Sequence, residues 1–255
     1  MSTNDSNNPA DPVEEHRMPL LEHLRELRDR VVWSALSLTI GMLICLAFAN
    51  DIYSWLTQPF LQAIEDVGVE GGLSIVHSPF EGIYTYLRVS FVGGVVLSLP
   101  MIAYQVWLFV APGLYSDERR VVWPLAFSSS ALFLLGGAFA YYVIFPAAFP
   151  MFLSVIDAQA NLSIDGYLSG VVRMMLAFGL CFQLPVVTWF LARIGLIDHR
   201  DMVGGFRYAF VAMFIIAALI TPPDVLTQSL LAIPMVILYL IGIIIAWLFS
   251  TKVRE

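Results

Sequence analysis

Two short stretches of an otherwise apolar chain put carboxylates beside arginines: His23-Leu24-Arg25-Glu26-Leu27-Arg28 and Ser116-Asp117-Glu118-Arg119-Arg120. A carboxylate offers two oxygens in one plane, and a guanidinium offers a matching fork of N–H donors. A carboxylate held beside an apolar groove is therefore suited to bind a guanidinium bidentately. The ligand class this selects is a cationic, arginine-bearing peptide with an adjoining apolar stretch. Plainer uses of the same residues exist. Glu26 stands four residues before Arg30 and can serve an i,i+4 pair. Glu118 can stabilise the dipole of a helix starting beside it, or pair with a neighbouring arginine.

Other chemistries lack their residues. There is no GxxxxGK[ST] phosphate loop, and Lys252 is the one lysine, which argues against nucleotide hydrolysis by this chain. No HExxH or GxSxG occurs, and the histidines (His16, His23, His77, His199) are scattered. Cys45 and Cys181 lie in apolar runs without metal-ligand spacing. The expectation is a chain that is not an enzyme, with no cofactor, no metal ligands and no nucleic-acid partner. An intramembrane hydrolase would need a nucleophile–base constellation that is missing here. Gln183 is the most polar side chain deep in an apolar run, and an ordinary interhelical hydrogen bond and a partner contact both suit it. With helix-breaking prolines, it is all that supports the alternative, a proton-coupled small-solute transporter.

These residues must be positioned by membrane helices. Of 255 residues, 59% are hydrophobic and 13% charged, with a mean hydropathy of +0.79; a soluble chain carries about 25% charged residues. A spanning helix needs about 20 mostly apolar residues, and six runs qualify or nearly so: residues 31–49, 84–110, 121–145, 168–193, 208–220 and 226–249. The fifth is short, about 20 Å at 1.5 Å per residue. Thr221-Pro222-Pro223-Asp224 parts it from the sixth, so a re-entrant hairpin is the alternative to six spans. Residues 1–17 are polar and acidic, without the basic and apolar regions of a cleavable signal peptide, and are expected to be a disordered tail. Residues 18–250 form the membrane domain and 251–255 a second short tail.

Orientation follows from the basic residues. Arg17, Arg25, Arg28 and Arg30 precede the first run, and Arg119 and Arg120 separate the second from the third. Arg193, Arg200 and Arg207 lie around the connection of the fourth and fifth, and Lys252 and Arg254 follow the sixth. Only Arg88 and Arg173 fall on the other side, each just inside a span end. Positive-inside logic then puts both termini in the cytoplasm. The opposite loops are acidic: Asp51, Glu65, Asp66, Glu70, Glu81, Asp157, Asp165 and Asp224.

Local signals fit this map. Leu20, Leu24, Leu27 and Val31 follow helical spacing and predict an interfacial amphipathic helix running into the first span. Ser78-Pro79-Phe80-Glu81 and Ser116-Asp117-Glu118 read as the starts of the second and third helices. Pro100, Pro185 and Pro234 are expected to kink their spans, and Gly93-Gly94 and Gly136-Gly137 to allow close helix contact. Phe109 and Trp107 read as interfacial aromatics or, for Phe109, a ligand contact; Asp224 can be an N-cap.

Seven segments in register carry a family resemblance: residues 19–30 (Pro19-Leu20-Leu21-Glu22-His23-Leu24-Arg25-Glu26-Leu27-Arg28-Asp29-Arg30), Ser78-Pro79-Phe80, residues 104–115 (with Tyr104-Gln105-Val106-Trp107 and Phe109-Val110-Ala111-Pro112-Gly113-Leu114-Tyr115), Glu118-Arg119-Arg120, Phe139-Ala140-Tyr141 with Phe145-Pro146, Thr221-Pro222-Pro223-Asp224 and Leu231-Ala232-Ile233-Pro234-Met235. Over residues 18–249 the chain resembles TatC, the multispanning subunit of the twin-arginine translocase. The resemblance implies a glove-shaped six-helix protein with a concave face and cytoplasmic termini in the bacterial inner membrane. It implies a receptor for twin-arginine signal peptides that nucleates export of folded proteins, driven by the proton-motive force. TatA-type and TatB-type single-span proteins, and other copies of itself, are the partners implied. Glu26 and Glu118 match the family's contacts to the arginine pair; Arg28, Arg30, Arg119, Arg120 and Phe109 belong to the same surface. Asp224 matches a family acid, and the fifth span resembles the TatB-contacting helix. Gln183 departs from the family: many members carry a glutamate there, and glutamine cannot ionise. Arg25 and Asp29 also vary the N-terminal motif.

Overall fold

The computed structural model describes residues 20–67, 81–110, 122–148, 164–220 and 225–249. The expected tails, the Ser78-Pro79 helix start, Ser116 to Arg120 and Thr221 to Asp224 lie outside the described residues. The described residues are helical almost throughout: α1 (Leu20–Ala47), α2 (Ala49–Val67), α3 (Glu81–Val110), α4 (Val122–Phe139), α5 (Ile164–Cys181), α6 (Leu184–Arg193), α7 (His199–Ile220) and α8 (Val225–Phe249). Six stretches are long and apolar enough to cross a membrane: α1, α3, α4 with its continuation to Ala148, α5 joined to α6, α7 and α8.

The helix that carries the fifth apolar run is longer than the run itself. α7 runs for 22 residues, about 33 Å at 1.5 Å each. Backbone hydrogen bonding continues through polar turns where hydropathy does not. The first turns of α7 carry His199, Arg200 and Arg207, and Asp198 and Asp201 close its start: the Asp201 carboxylate accepts the Asp198 N–H at 3.0 Å, and the Asp198 carboxylate accepts the His199 N–H at 2.7 Å. The amphipathic segment of residues 20–30 and the first span are likewise one continuous helix.

Prolines shape two other spans. Pro185 lacks an N–H and stands in the first turn of α6, so the regular helix of the fourth span is interrupted by a turn at Phe182-Gln183. α4 continues into a π-helical turn over Ala140–Ile144, where the Phe145 N–H donates to the Ala140 carbonyl, just before Pro146. Gly195, at φ 73°, ends α6 in a left-handed turn, with the Leu196 N–H donating to the Leu191 carbonyl at 2.9 Å.

The spans form a row in which each packs mainly on the next: α1 on α3, α3 on α4, α4 on α5, then α6 on α8 and α8 on α7. The row ends in α1 and α7, of whose spanning windows only 6% and 11% is buried against the rest of the chain. Lipid solvates leucine as well as a protein core does, so close backbone approach has to hold such a row. A Cβ on Gly94 would stand 2.7 Å from the Met42 amide nitrogen, and one on Gly136 would stand 2.5 Å from the Phe178 carbonyl oxygen. The glycine pairs thus set the α1–α3 and α4–α5 contacts.

Helix α2 was not legible as a helix in the sequence. It lies at the end of the row where α1 finishes and α3 begins, and buries Leu56 and Phe60 fully. Pro59, inside it, cannot donate to the Trp55 carbonyl. The Tyr141 hydroxyl from the α4 extension donates to that carbonyl at 2.6 Å, and the Tyr167 hydroxyl of α5 donates to the Leu56 carbonyl at 2.8 Å. Arg88 of α3 pairs with the Asp165 carboxylate of α5 at 2.6 Å at the same end. A core of Leu56, Phe60, Tyr141, Phe145, Tyr167, Leu168, Met213 and Leu231 unites these elements.

Candidate functional site

At the other end of the row, the start of α1 lies antiparallel to the end of α3. Glu26 and Arg30 are one turn apart on α1, and Gln105 and Phe109 one turn apart on α3, so each helix shows a matched pair to its neighbour. The Arg30 guanidinium donates from Nη2 to Glu26 Oε1 at 3.1 Å and from Nη1 to Gln105 Oε1 at 3.2 Å. Gln105 is buried, and its amide nitrogen meets the Met101 sulfur at 3.9 Å. Both charged side chains keep some access, 30% for Arg30 and 24% for Glu26. Glu26 Oε2 has no partner among the described residues, and Arg30 Nε is buried without a hydrogen bond there. One turn toward the start of α1, His23 stacks on Phe109 with ring centroids 4.5 Å apart and planes at 20°.

The result is a carboxylate held in place by a fixed guanidinium, flanked by an aromatic wall. The spare oxygen can accept an N–H from a ligand guanidinium; the Arg30–Gln105 bond holds the carboxylate's own partner so that it need not reorganise. Of the residues singled out from sequence, Glu26, Arg30 and Phe109 meet here. Arg28 does not: it turns outward to Asp29 at 2.7 Å, with 71% of its side chain exposed, a pair worth about 0–1 kcal/mol. Glu118, Arg119, Arg120 and Asp224 lie outside the described residues. His23 and Gln105 were not singled out as site residues. Their signal was positional: His23 is three residues before Glu26, and Gln105 is a lone amide four residues before Phe109 in an apolar span.

Gln183 lies apart from this face. At the break between α5 and α6, its amide donates to the Ser129 carbonyl of α4 at 2.8 Å, while the Ser129 hydroxyl accepts from the Trp107 indole at 2.8 Å. The most polar group deep in the fourth span is thus hydrogen-bonded within the chain's own helices, as an interhelical contact. Among the described residues no group of His, Cys, Asp or Glu is placed to hold a metal.

Residues 22–234 match the family model described as Sec-independent protein translocase protein (TatC). Similar proteins named Sec-independent protein translocase protein TatC include one from Desulforapulum autotrophicum, 42% identical over 94% of this chain and 88% of its own. Another, from Escherichia coli K12, is 39% identical over 94% of this chain and 93% of its own. Among solved structures, a crystal structure of the twin-arginine translocase receptor TatC superposes with a TM-score of 0.76 at 36% identity, covering 88% of this chain and 98% of that one. A second, in the detergent DDM, has a TM-score of 0.78 over the same coverage.

Proposed function

The chain belongs to the TatC family of Sec-independent protein translocases, and on that premise we propose that its Glu26 face receives the arginine pair of a signal peptide. The protein is a multispanning component of the twin-arginine translocase, and so works in a complex with other translocase components. The observation that carries the reading is the half-occupied Glu26 carboxylate, braced by Arg30 and Gln105 and walled by Phe109. An arginine of the ligand takes the spare oxygen, and the second arginine is assigned to Glu118, with Arg28, Arg119 and Arg120 shaping the surrounding field. Lysine's compact, strongly hydrated ammonium costs more to desolvate beside this aromatic wall than a guanidinium does. The apolar part of the peptide then runs along the row of helices into the bilayer.

Both termini are assigned to the cytoplasm of a bacterial inner membrane, because eleven of the thirteen basic residues then lie inside. TatA-type and TatB-type single-span proteins assemble around the receptor, with the thinly buried α7 as the TatB-facing helix, and further copies join the complex. The chain binds and positions rather than catalyses. The proton-motive force, not a bound nucleotide, supplies the work; Gln183 cannot act as a proton carrier, and Asp224 is assigned as the helix-flanking acid of the family pattern.

The test is photo-crosslinking from a probe at position 118 to a twin-arginine peptide and to its twin-lysine version. Strong crosslinking to the first and loss with the second is expected. Equal crosslinking to both, or to neither, would return Glu118 to a helix-terminal acid. The double variant Glu26→Ala, Glu118→Ala should lose most binding, since removing one side of a desolvated charge pair costs about 2–5 kcal/mol.

A further inference from the structure

Arg173 is a cation on the outer face of a membrane-spanning helix. It lies nine residues into α5, about 13 Å along the axis at 1.5 Å per residue. Its side chain is exposed, and no hydrogen bond or ion pair reaches it among the described residues. Intramembrane arginines normally face a partner or a wet cavity, because a bare guanidinium in hydrocarbon is costly. This one is exposed, with no partner among the described residues.

Its surroundings are shaped for one occupant. Helical side chains lean toward their helix N-terminus, so Arg173 leans back toward the end where Arg88 pairs with Asp165. The residues it leans over are Gly166, Ser169 and Gly170, and a Cβ built on Gly170 meets nothing within 4 Å. Among the described residues nothing crowds the helix surface at Gly170. On the other side, Leu176 and Leu180 follow Arg173 at i+3 and i+7 on one stripe of α5, and Leu180 is 65% exposed. Leu176 is also in the wall of a groove of about 580 Å³ between α4 and the α1–α3 pair, lined by Trp55, Val96, Phe133, Leu134 and Tyr142 among others. Asp51 is the one charged residue in that wall among the described residues. An unpaired cation one helical turn from a residue of an apolar groove wall matches a phosphate joined to an acyl chain. It does not match a free phosphate, which would have no use for the groove.

We propose that Arg173 and the adjoining groove form a specific site for one anionic phospholipid of the leaflet at the α5 N-terminus. The guanidinium takes the phosphate, and one acyl chain runs past Tyr142 and Leu176 toward Phe133 and Leu180. The site would tie α4 and α5 to a defined lipid on the side of the membrane opposite the peptide-binding face.

The experiment uses the full-length protein in detergent, with phosphatidylglycerol carrying a photoreactive acyl chain and phosphatidylcholine of the same chains as competitor. Labelling should map to α4 and α5 around Phe133 and Leu176. Arg173→Leu should reduce it by about tenfold, the scale of one charge-assisted contact, while Arg173→Lys keeps most of it. Gly170→Leu, which preserves the charge and meets no clash, should also reduce it by covering the path of the side chain. Native mass spectrometry should show one fewer retained phosphatidylglycerol in Arg173→Leu. Labelling unchanged in Arg173→Leu, or phosphatidylcholine competing as well as phosphatidylglycerol itself, would overturn the proposal. So would a variant that keeps its lipid but no longer assembles with partner membrane proteins, which would make Arg173 a protein contact.

Discussion

Glu26 gives one oxygen to Arg30, its other oxygen has no partner among the described residues, and Gln105 holds Arg30 from the opposite helix. Two substitutions separate charge from bracing. Glu26→Gln keeps the shape and the acceptor but loses the charge. A hydrogen bond to a charged group is worth about 1.5–3 kcal/mol, so twin-arginine peptide affinity should fall about tenfold or more, read by peptide titration with the purified receptor. Gln105→Leu leaves the Glu26 charge intact and frees Arg30 Nη1; affinity should fall less, and the twin-arginine over twin-lysine preference should narrow. Between Gln105 and Phe109 on the same helix, Trp107→Phe removes the indole donor to Ser129. Such intramembrane bonds average about 0.6 kcal/mol, so a small drop in unfolding free energy is expected, with peptide binding unchanged.

At the scale of elements, α2 is held by a compensation between a proline and a tyrosine. Pro59 leaves the Trp55 carbonyl without its helical donor, and the Tyr141 hydroxyl fills that place at 2.6 Å. Tyr141→Phe should then cost about 1–3 kcal/mol, the penalty of an orphaned polar group. The same change in a Pro59→Ala background should cost less, because an alanine at that position brings back the N–H and with it the i−4 bond. A double-mutant cycle by detergent unfolding reads the coupling; additive effects would show that Tyr141 holds α2 by ring packing on Trp55 alone, whose centroid lies 4.5 Å away. Along the row, Gly94→Leu places a side chain where a Cβ already meets Met42 backbone. Overpacking of this kind costs about 1–3 kcal/mol, so a lower melting temperature and loosened α1–α3 cysteine crosslinking are expected.

The described helices stand side by side in a row, and their termini form two rims of different character. One rim carries the Glu26–Arg30–Gln105 group; the other carries α2, the Arg88–Asp165 pair and the aromatic core. In a variant with Cys45 and Cys181 replaced by alanine, a cysteine introduced by Arg28→Cys should react only with a label applied from the cytoplasm, and one introduced by Asp51→Cys only from the opposite side. The reverse pattern would invert the proposed orientation.

Membrane class, six crossings and the acid–arginine stretch were readable in the chain itself, because bilayer thickness forces apolar runs of a set length and the motif segments are contiguous. Helix α2 was missed: its pattern is amphipathic, but Pro59 inside it argues against a helix, and the donor that replaces the lost backbone bond lies 86 residues away. The true start of α7 was hidden for a related reason, since hydropathy marks where lipid begins and not where the helix does. Gln183 was seen as polar, but its acceptor, the Ser129 carbonyl, is a backbone atom of another helix and leaves no side-chain signature. Contiguous residues declare a motif by spacing; contacts such as Arg30–Gln105 and Arg88–Asp165 exist only once helices are set side by side, and small glycine surfaces at Gly94 and Gly136 decide how closely they stand.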